Sequence, residues 1–119
     1  MKTIRLEVTT NTAGAGASAL VAVPGGGLLY AVQCVDGTFA DGVDITITDE
    51  QGELSRTLFV KADFNTDAIY YPRVLENLNT DGTALTTHCM PLVSGRVKAT
   101  VAQGGAVASG AFILYIQEL

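Results

Sequence analysis

Apolar and polar residues alternate along most of this chain with a period of two, the spacing of a strand with one buried and one wetted face. In "TIRLEVTT", Ile4, Leu6 and Val8 share one face, and Thr3, Arg5, Glu7 and Thr9 the other. "NTAGAGAS" reads as a small flexible loop. "ALVAVP" reads as a strand that Pro24 and the glycines of "PGGG" stop. In "LLYAVQCVDG" the face carrying Leu28, Tyr30, Val32 and Cys34 is the predicted buried one. "VDITITDEQGE" sets Val43, Ile45 and Ile47 against Asp44, Thr46 and Thr48. Its "DEQG" predicts a tight turn with Gly52 free to take positive φ, and "LSRTLFVKA" returns as the partner strand.

From residue 63 to 82 the pattern loosens. A long connection is expected there, holding a short strand around Ile69 to Tyr71 that Pro72 ends. "RVLENL" offers at most a turn or two of helix. "TALTTHCMPLV" predicts another strand. In the closing ribbon Val97, Ala99 and Val101 oppose Arg96, Lys98 and Thr100; "QGGAVASG" turns the chain. "AFILYIQEL" is apolar on both faces, as in a strand covered from both sides or lying against a neighbour. About eight or nine short strands with turn signals every 8–12 residues predict an all-β, antiparallel, jelly-roll-like sandwich. The 119 residues fit a single domain, 1–119.

Composition sharpens this picture. Charged residues make up 16% of the chain, against about 25% in an ordinary domain. So sparse a charge suits a surface that is hidden in contacts with other chains. The net charge is −5 and the cations do not cluster, which argues against a nucleic-acid partner. The N-terminal residues do not read as a signal peptide, and the longest apolar run, Ala111 to Ile116, is too short for a membrane-spanning helix. Cys34 and Cys89 stand in apolar surroundings. Free buried thiols are expected, with pairing left open.

Candidate chemistry is thin. His88 is the sole histidine and adjoins Cys89; neighbours on a strand point to opposite faces, so the two do not make a metal pair or a nucleophile–base pair. "GAGASA", Gly14 to Ala19, has the loose spacing of a dinucleotide fingerprint but precedes a strand, with no helix N-terminus to hold phosphate. Asp63, Asn65 and Asp67 alternate as calcium ligands can, and Asn77, Asn79, Asp81 and Gly82 resemble the opening of an EF-hand loop. The place of that loop's bidentate carboxylate is taken by His88, so polar turns are the better reading. Asp41, Asp44, Asp49 and Glu50 read as solvated turn and strand-face residues, not a glycosidase dyad. No catalytic residue, cofactor or metal is expected. "YYPR", Tyr70 to Arg73, stands apart. Tyrosine and arginine are enriched in protein interfaces, although a tyrosine on the core edge with Arg73 in a local ion pair fits equally.

"VDITITDEQGE", "YYPR" and "GRVKATVAQGGAVASGAFILYI" together resemble small all-β proteins encoded in the structural gene clusters of tailed bacteriophages. The resemblance covers most of the chain from Val43 onward. Asp44, Tyr70, Tyr71, Pro72, Arg73, Gly104, Gly105 and Tyr115 stand at its pattern positions. It implies a virion structural subunit: a decoration (cement) protein on the major capsid protein, or a neck, tail or baseplate ring component. Contacts are expected from Tyr70, Tyr71 and Arg73 and from the N-terminal segment near Lys2 and Arg5. A homotrimer is expected because capsid lattices offer threefold positions. In this reading the terminal ribbon completes a sheet, and another subunit covers its outer surface or edge. A small carbohydrate-binding sandwich is the alternative from a different class. With no tryptophan and four tyrosines, the chain is poorly supplied for sugar platforms.

Overall fold

The computed structural model describes residues 1–51 and 54–119. Its strands, in chain order, are β1 (Lys2–Thr9), β2 (Gly16–Ala17), β3 (Val21–Ala22), β4 (Gly27–Val35), β5 (Val43–Gln51), β6 (Leu54–Phe64), β7 (Ala68–Tyr70), β8 (Val74–Asn77), β9 (Ala84–Cys89), β10 (Leu92–Val93), β11 (Arg96–Ala102) and β12 (Ser109–Gln117). The all-β sandwich expected from the alternation forms. One sheet runs β1-β12-β4-β10, with β7 also on β4. The facing sheet runs β2-β11-β5-β6, with β3 also on β11. All pairings are antiparallel. The strands exceed the expected number because β2 is a two-residue piece too short to leave a periodic trace, β8 forms where at most a helical turn was expected, and "TALTTHCMPLV" divides into β9 and β10.

The inward rows follow the alternation. Leu6 and Val8 of β1, Val43, Ile45 and Ile47 of β5, Val97, Ala99 and Val101 of β11, and Phe112, Leu114 and Ile116 of β12 all lie in one core. β12 is central, with β1 hydrogen-bonded on one side and β4 on the other. Its edges are therefore occupied within the chain, and no second subunit is needed to cover them. Its outward residues Ile113 and Tyr115 are half-buried, which accounts for the two-sided apolarity.

β4 departs from the expected face. Tyr115 pairs with Ala31 and Ile116 with Leu29, so Tyr30 has no partner across β12. This bulge resets the alternation. Beyond it Val32 and Cys34 point inward as predicted; before it Leu29 is in the core and Tyr30 is turned to solvent. The helical turn allowed for "RVLENL" does not form: Val74–Asn77 is strand β8, paired with β9. Asp49 to Gln51 extend β5 instead of turning, and the turn expected at Gly52 lies outside the described residues.

Phe39, in the β4–β5 loop, closes one end of the sandwich. Its ring stacks on Phe112, with centroids 6.3 Å apart, and lies over Gly110, where an added Cβ would stand 2.3 Å from the ring. The glycine loops are less free than their composition suggests. Gly104 N–H donates to the Gly14 carbonyl at 2.9 Å, and a Cβ on Gly14 (φ 85°) would stand 3.2 Å from the Gly104 and Gly105 nitrogens.

Asp49 is not solvated as expected. It continues the inward row of Val43, Ile45 and Ile47 and is fully buried. Arg56, its register partner on β6, donates to its Oδ2, as does Ser94 N–H at 2.9 Å; Gly95 N–H donates to Oδ1 at 3.2 Å. One carboxylate thus pins the β10–β11 turn to the β5–β6 hairpin. Removing one partner of a buried, hydrogen-bonded ion pair costs about 3–5 kcal/mol. Asp49→Ala should therefore lose about 3 kcal/mol in urea unfolding, whereas Asp41→Ala, at an exposed position, should stay within about 0.5 kcal/mol of wild type. Equal losses for the two would contradict this role.

Candidate functional site

The β4 bulge also builds the most distinctive surface of the molecule. It leaves the Tyr30 ring 41% exposed on the outer side of the β1-β12-β4-β10 sheet. β7, paired to the same strand, sends Tyr70 inward and Ile69 outward. Tyr71, just past its end, is 54% exposed, and Pro72 then stops the strand. Arg73 folds back. Its Nη1 donates to the Tyr30 carbonyl at 3.0 Å and to the Pro72 carbonyl at 2.6 Å, and its guanidinium carbon stands 5.7 Å from the Tyr30 ring centre. The Tyr30 and Tyr71 rings meet edge to face, 5.7 Å apart at 83°. The result is a fixed aromatic–cation cluster with its apolar parts in solvent. Among the described residues Arg73 has no carboxylate partner.

Next to the cluster is an open groove of 620 Å³, lined by Leu28, Tyr30, Arg73, Met90 and Leu92 and by His88, Cys89 and Gln117. From here β8 and β9 leave as a ribbon that, among the described residues, pairs with no other strand. Every residue of β8 and all of β9 except Leu85 are exposed. The molecule measures 48 × 29 × 27 Å, and its radius of gyration, 14.8 Å, exceeds the roughly 13.5 Å of a compact chain of this length. We call this ribbon the arm.

The expected contact residues are only partly brought together. Tyr71 and Arg73 join the cluster. Tyr70 does not: its ring packs on Phe59, 5.3 Å between centroids, at the edge of the core, where burial, with Cys34 nearby, holds the phenol above its ordinary value. Tyr30 takes its place, which alternation alone could not reveal because it assigned Tyr30 to the buried face. Lys2 and Arg5 lie on β1, separated from β4 by β12. Lys2 donates to the Pro24 carbonyl and stands 3.6 Å from Glu118; Arg5 pairs with Glu7 at 2.9 Å. The cysteines differ from expectation too. Cys34 is buried, which pushes its thiol up to about 12, but Cys89 is exposed; both are free. His88 and Cys89 face opposite partners, Leu75 and Val74.

The calcium-like stretches act as staples between loops. Asn65 Oδ1 accepts from Gly42 N–H at 2.6 Å, and Asp67 Oδ1 from Asp36 N–H at 2.8 Å. Asp81 Oδ1 accepts from Thr83 N–H at 2.9 Å within the arm's turn, which keeps its carboxyl below the ordinary value. Among the described residues no three His, Cys, Asp or Glu side chains converge as a metal shell. No protein family, no curated protein and no solved structure matches this chain.

One carboxylate in these loops is poorly placed. Asp36 Oδ1 is buried and has no hydrogen-bond partner among the described residues, and desolvation, then Asp41 and Asp67, raise its carboxyl above the ordinary range. The folded chain therefore holds this proton more tightly than the unfolded one. Its unfavourable contribution grows as pH rises through the carboxylate range and is complete above the raised folded value. Asp36→Asn should melt higher than wild type at pH 7, and the gain should vanish below the carboxylate range. Thermal unfolding at the two pH values checks this; a loss of stability at pH 7 would contradict it.

Proposed function

We propose that this chain is a structural protein of a tailed-bacteriophage virion: a decoration protein that binds the major capsid protein and stabilises the head through buried area, with no catalytic chemistry of its own. Its place of action is the virion, and its working form is a homo-oligomer, with a trimer suited to the threefold positions of a capsid lattice. One observation carries the reading. Tyr30, Ile69, Tyr71 and Leu92 expose a joined apolar and aromatic surface on one sheet face, beside a solvated arm. Monomeric proteins rarely leave such surfaces open, and those that do use them for contact. Tyrosine and arginine held in a fixed cluster are the kind of anchor that carries binding energy at interfaces. The sequence resemblance supplies the virion setting.

The ring-forming neck, tail or baseplate subunit shares these features and differs only in its neighbour. The carbohydrate reading draws support from two exposed tyrosines. Their rings meet at 83°, however, and do not form the flat platform on which a sugar ring stacks.

Ile69 and Tyr71 are the contacts to test, since both point away from the core. In co-sedimentation with expanded capsids that lack this protein, the wild-type chain should bind at saturating stoichiometry and raise the melting temperature of the shell. Tyr71→Ala and Ile69→Asp should each weaken binding about 30-fold, the size of an interface hot spot. A wild-type chain that ignores capsids would overturn the reading, as would variants that bind at full strength.

A further inference from the structure

The arm poses a physical problem. A two-stranded ribbon on its own is marginal in water, and this one carries Val74, Leu75 and Leu78 exposed along its length. It also carries charge of one sign only: between residues 74 and 87 there are Glu76 and Asp81 and no Lys or Arg. The groove beside it is the counterpart. Its walls include the apolar Leu28, Met90 and Leu92 together with His88, and its one fixed charge is Arg73, which has no carboxylate partner among the described residues. The arm meets its own groove only at its base, where His88 lines the wall and Leu75 pairs with His88. The groove wall includes Cys89, a base residue of the ribbon, and the apolar tip residues Leu78 and Leu85 stand a strand's length away, roughly 13–20 Å.

We propose that the groove receives the arm of a second copy of this chain. Leu78 seats against Leu28, Met90 and Leu92, and Asp81 meets Arg73. The tip of the arm and the groove are different surfaces, so the contact is head-to-tail: each copy gives its arm to one neighbour and takes an arm from the other. Such a contact closes into a ring when the rotation between copies allows it, and three copies make the trimer. The inference rests on the assembly reading above and says how that assembly is joined. Ile69 and Tyr71 stay outside the groove, available to another protein.

The test uses the full chain in solution, with no capsid present. Sedimentation equilibrium should show wild type assembled at micromolar concentration, with Leu78→Asp in the arm and Leu92→Asp in the groove each monomeric. Both side chains are solvent-exposed, and urea midpoints equal to that of wild type diluted until it is monomeric confirm that the fold is intact. Mixing the two variants should restore association, because one supplies a sound groove and the other a sound arm. Cys89 gives a second readout, since it lies in the groove while Cys34 is buried and unreactive. Its alkylation in assembled wild type should be at least ten-fold slower than in Leu78→Asp at equal concentration. A monomeric wild type would overturn the proposal, and so would one variant that still assembles alone, a mixture that does not recover, or equal Cys89 rates. A wild type that assembles in this way yet ignores capsids would leave the arm-in-groove contact standing and sink only the virion reading.

Discussion

One unpaired residue in β4 sets the character of both faces of its sheet. A strand in regular register gives every second side chain to the core, so the segment from Leu28 to Cys34 can bury only one parity. Leaving Tyr30 without a partner across β12 changes parity partway along. Leu29 then reaches the core from one half of the strand and Val32 and Cys34 from the other. The same step turns the Tyr30 ring outward and leaves its carbonyl where Arg73 can bind it. A regular β4 would bury the ring or exclude Leu29, and the Tyr30–Tyr71–Arg73 cluster would not exist. Core packing and surface chemistry thus depend on one irregularity in a ladder.

Most of the frame was legible from the residues. Where both faces of a strand have distinct partners the alternation is unambiguous, and β1, β5 and β11 bury the rows it indicates. It failed where backbone geometry overrides spacing. The bulge at Tyr30 leaves no mark in composition. Asp49 sits in a row of buried β-branched residues, and its charge argued for solvent; only the positions of Arg56 across the hairpin and of Ser94 and Gly95, distant in sequence, make that burial tolerable. "RVLENL" has the residues of a short helix, yet it pairs as β8 with the next strand, a cross-strand choice that the propensity of one segment does not encode.

The candidate site was legible in part for the same reason. Tyr71 and Arg73 flank Pro72 just past a three-residue strand, and their exposure follows from the chain leaving the sheet. Tyr70 looked equivalent to Tyr71, but adjacent strand residues face opposite ways, and pairing with Val32 sends it inward. The groove is invisible in the sequence because β4, β10 and the base of the arm meet only in three dimensions. What composition did convey was the kind of surface: sparse charge and ample apolar residues, in a body whose core accounts for only some of them.

The central claim is that the arm and the sheet face beside it are covered by protein when this chain does its work. Amide hydrogen exchange along β8 and β9 reads this most directly, since an uncovered two-stranded ribbon has little to slow its opening. The account predicts near-unprotected exchange from Val74 to Cys89 in a monomer and strong protection of the same amides in the assembled state, with β12 slow in both. Arm amides as protected in an isolated monomer as those of β12 would contradict it.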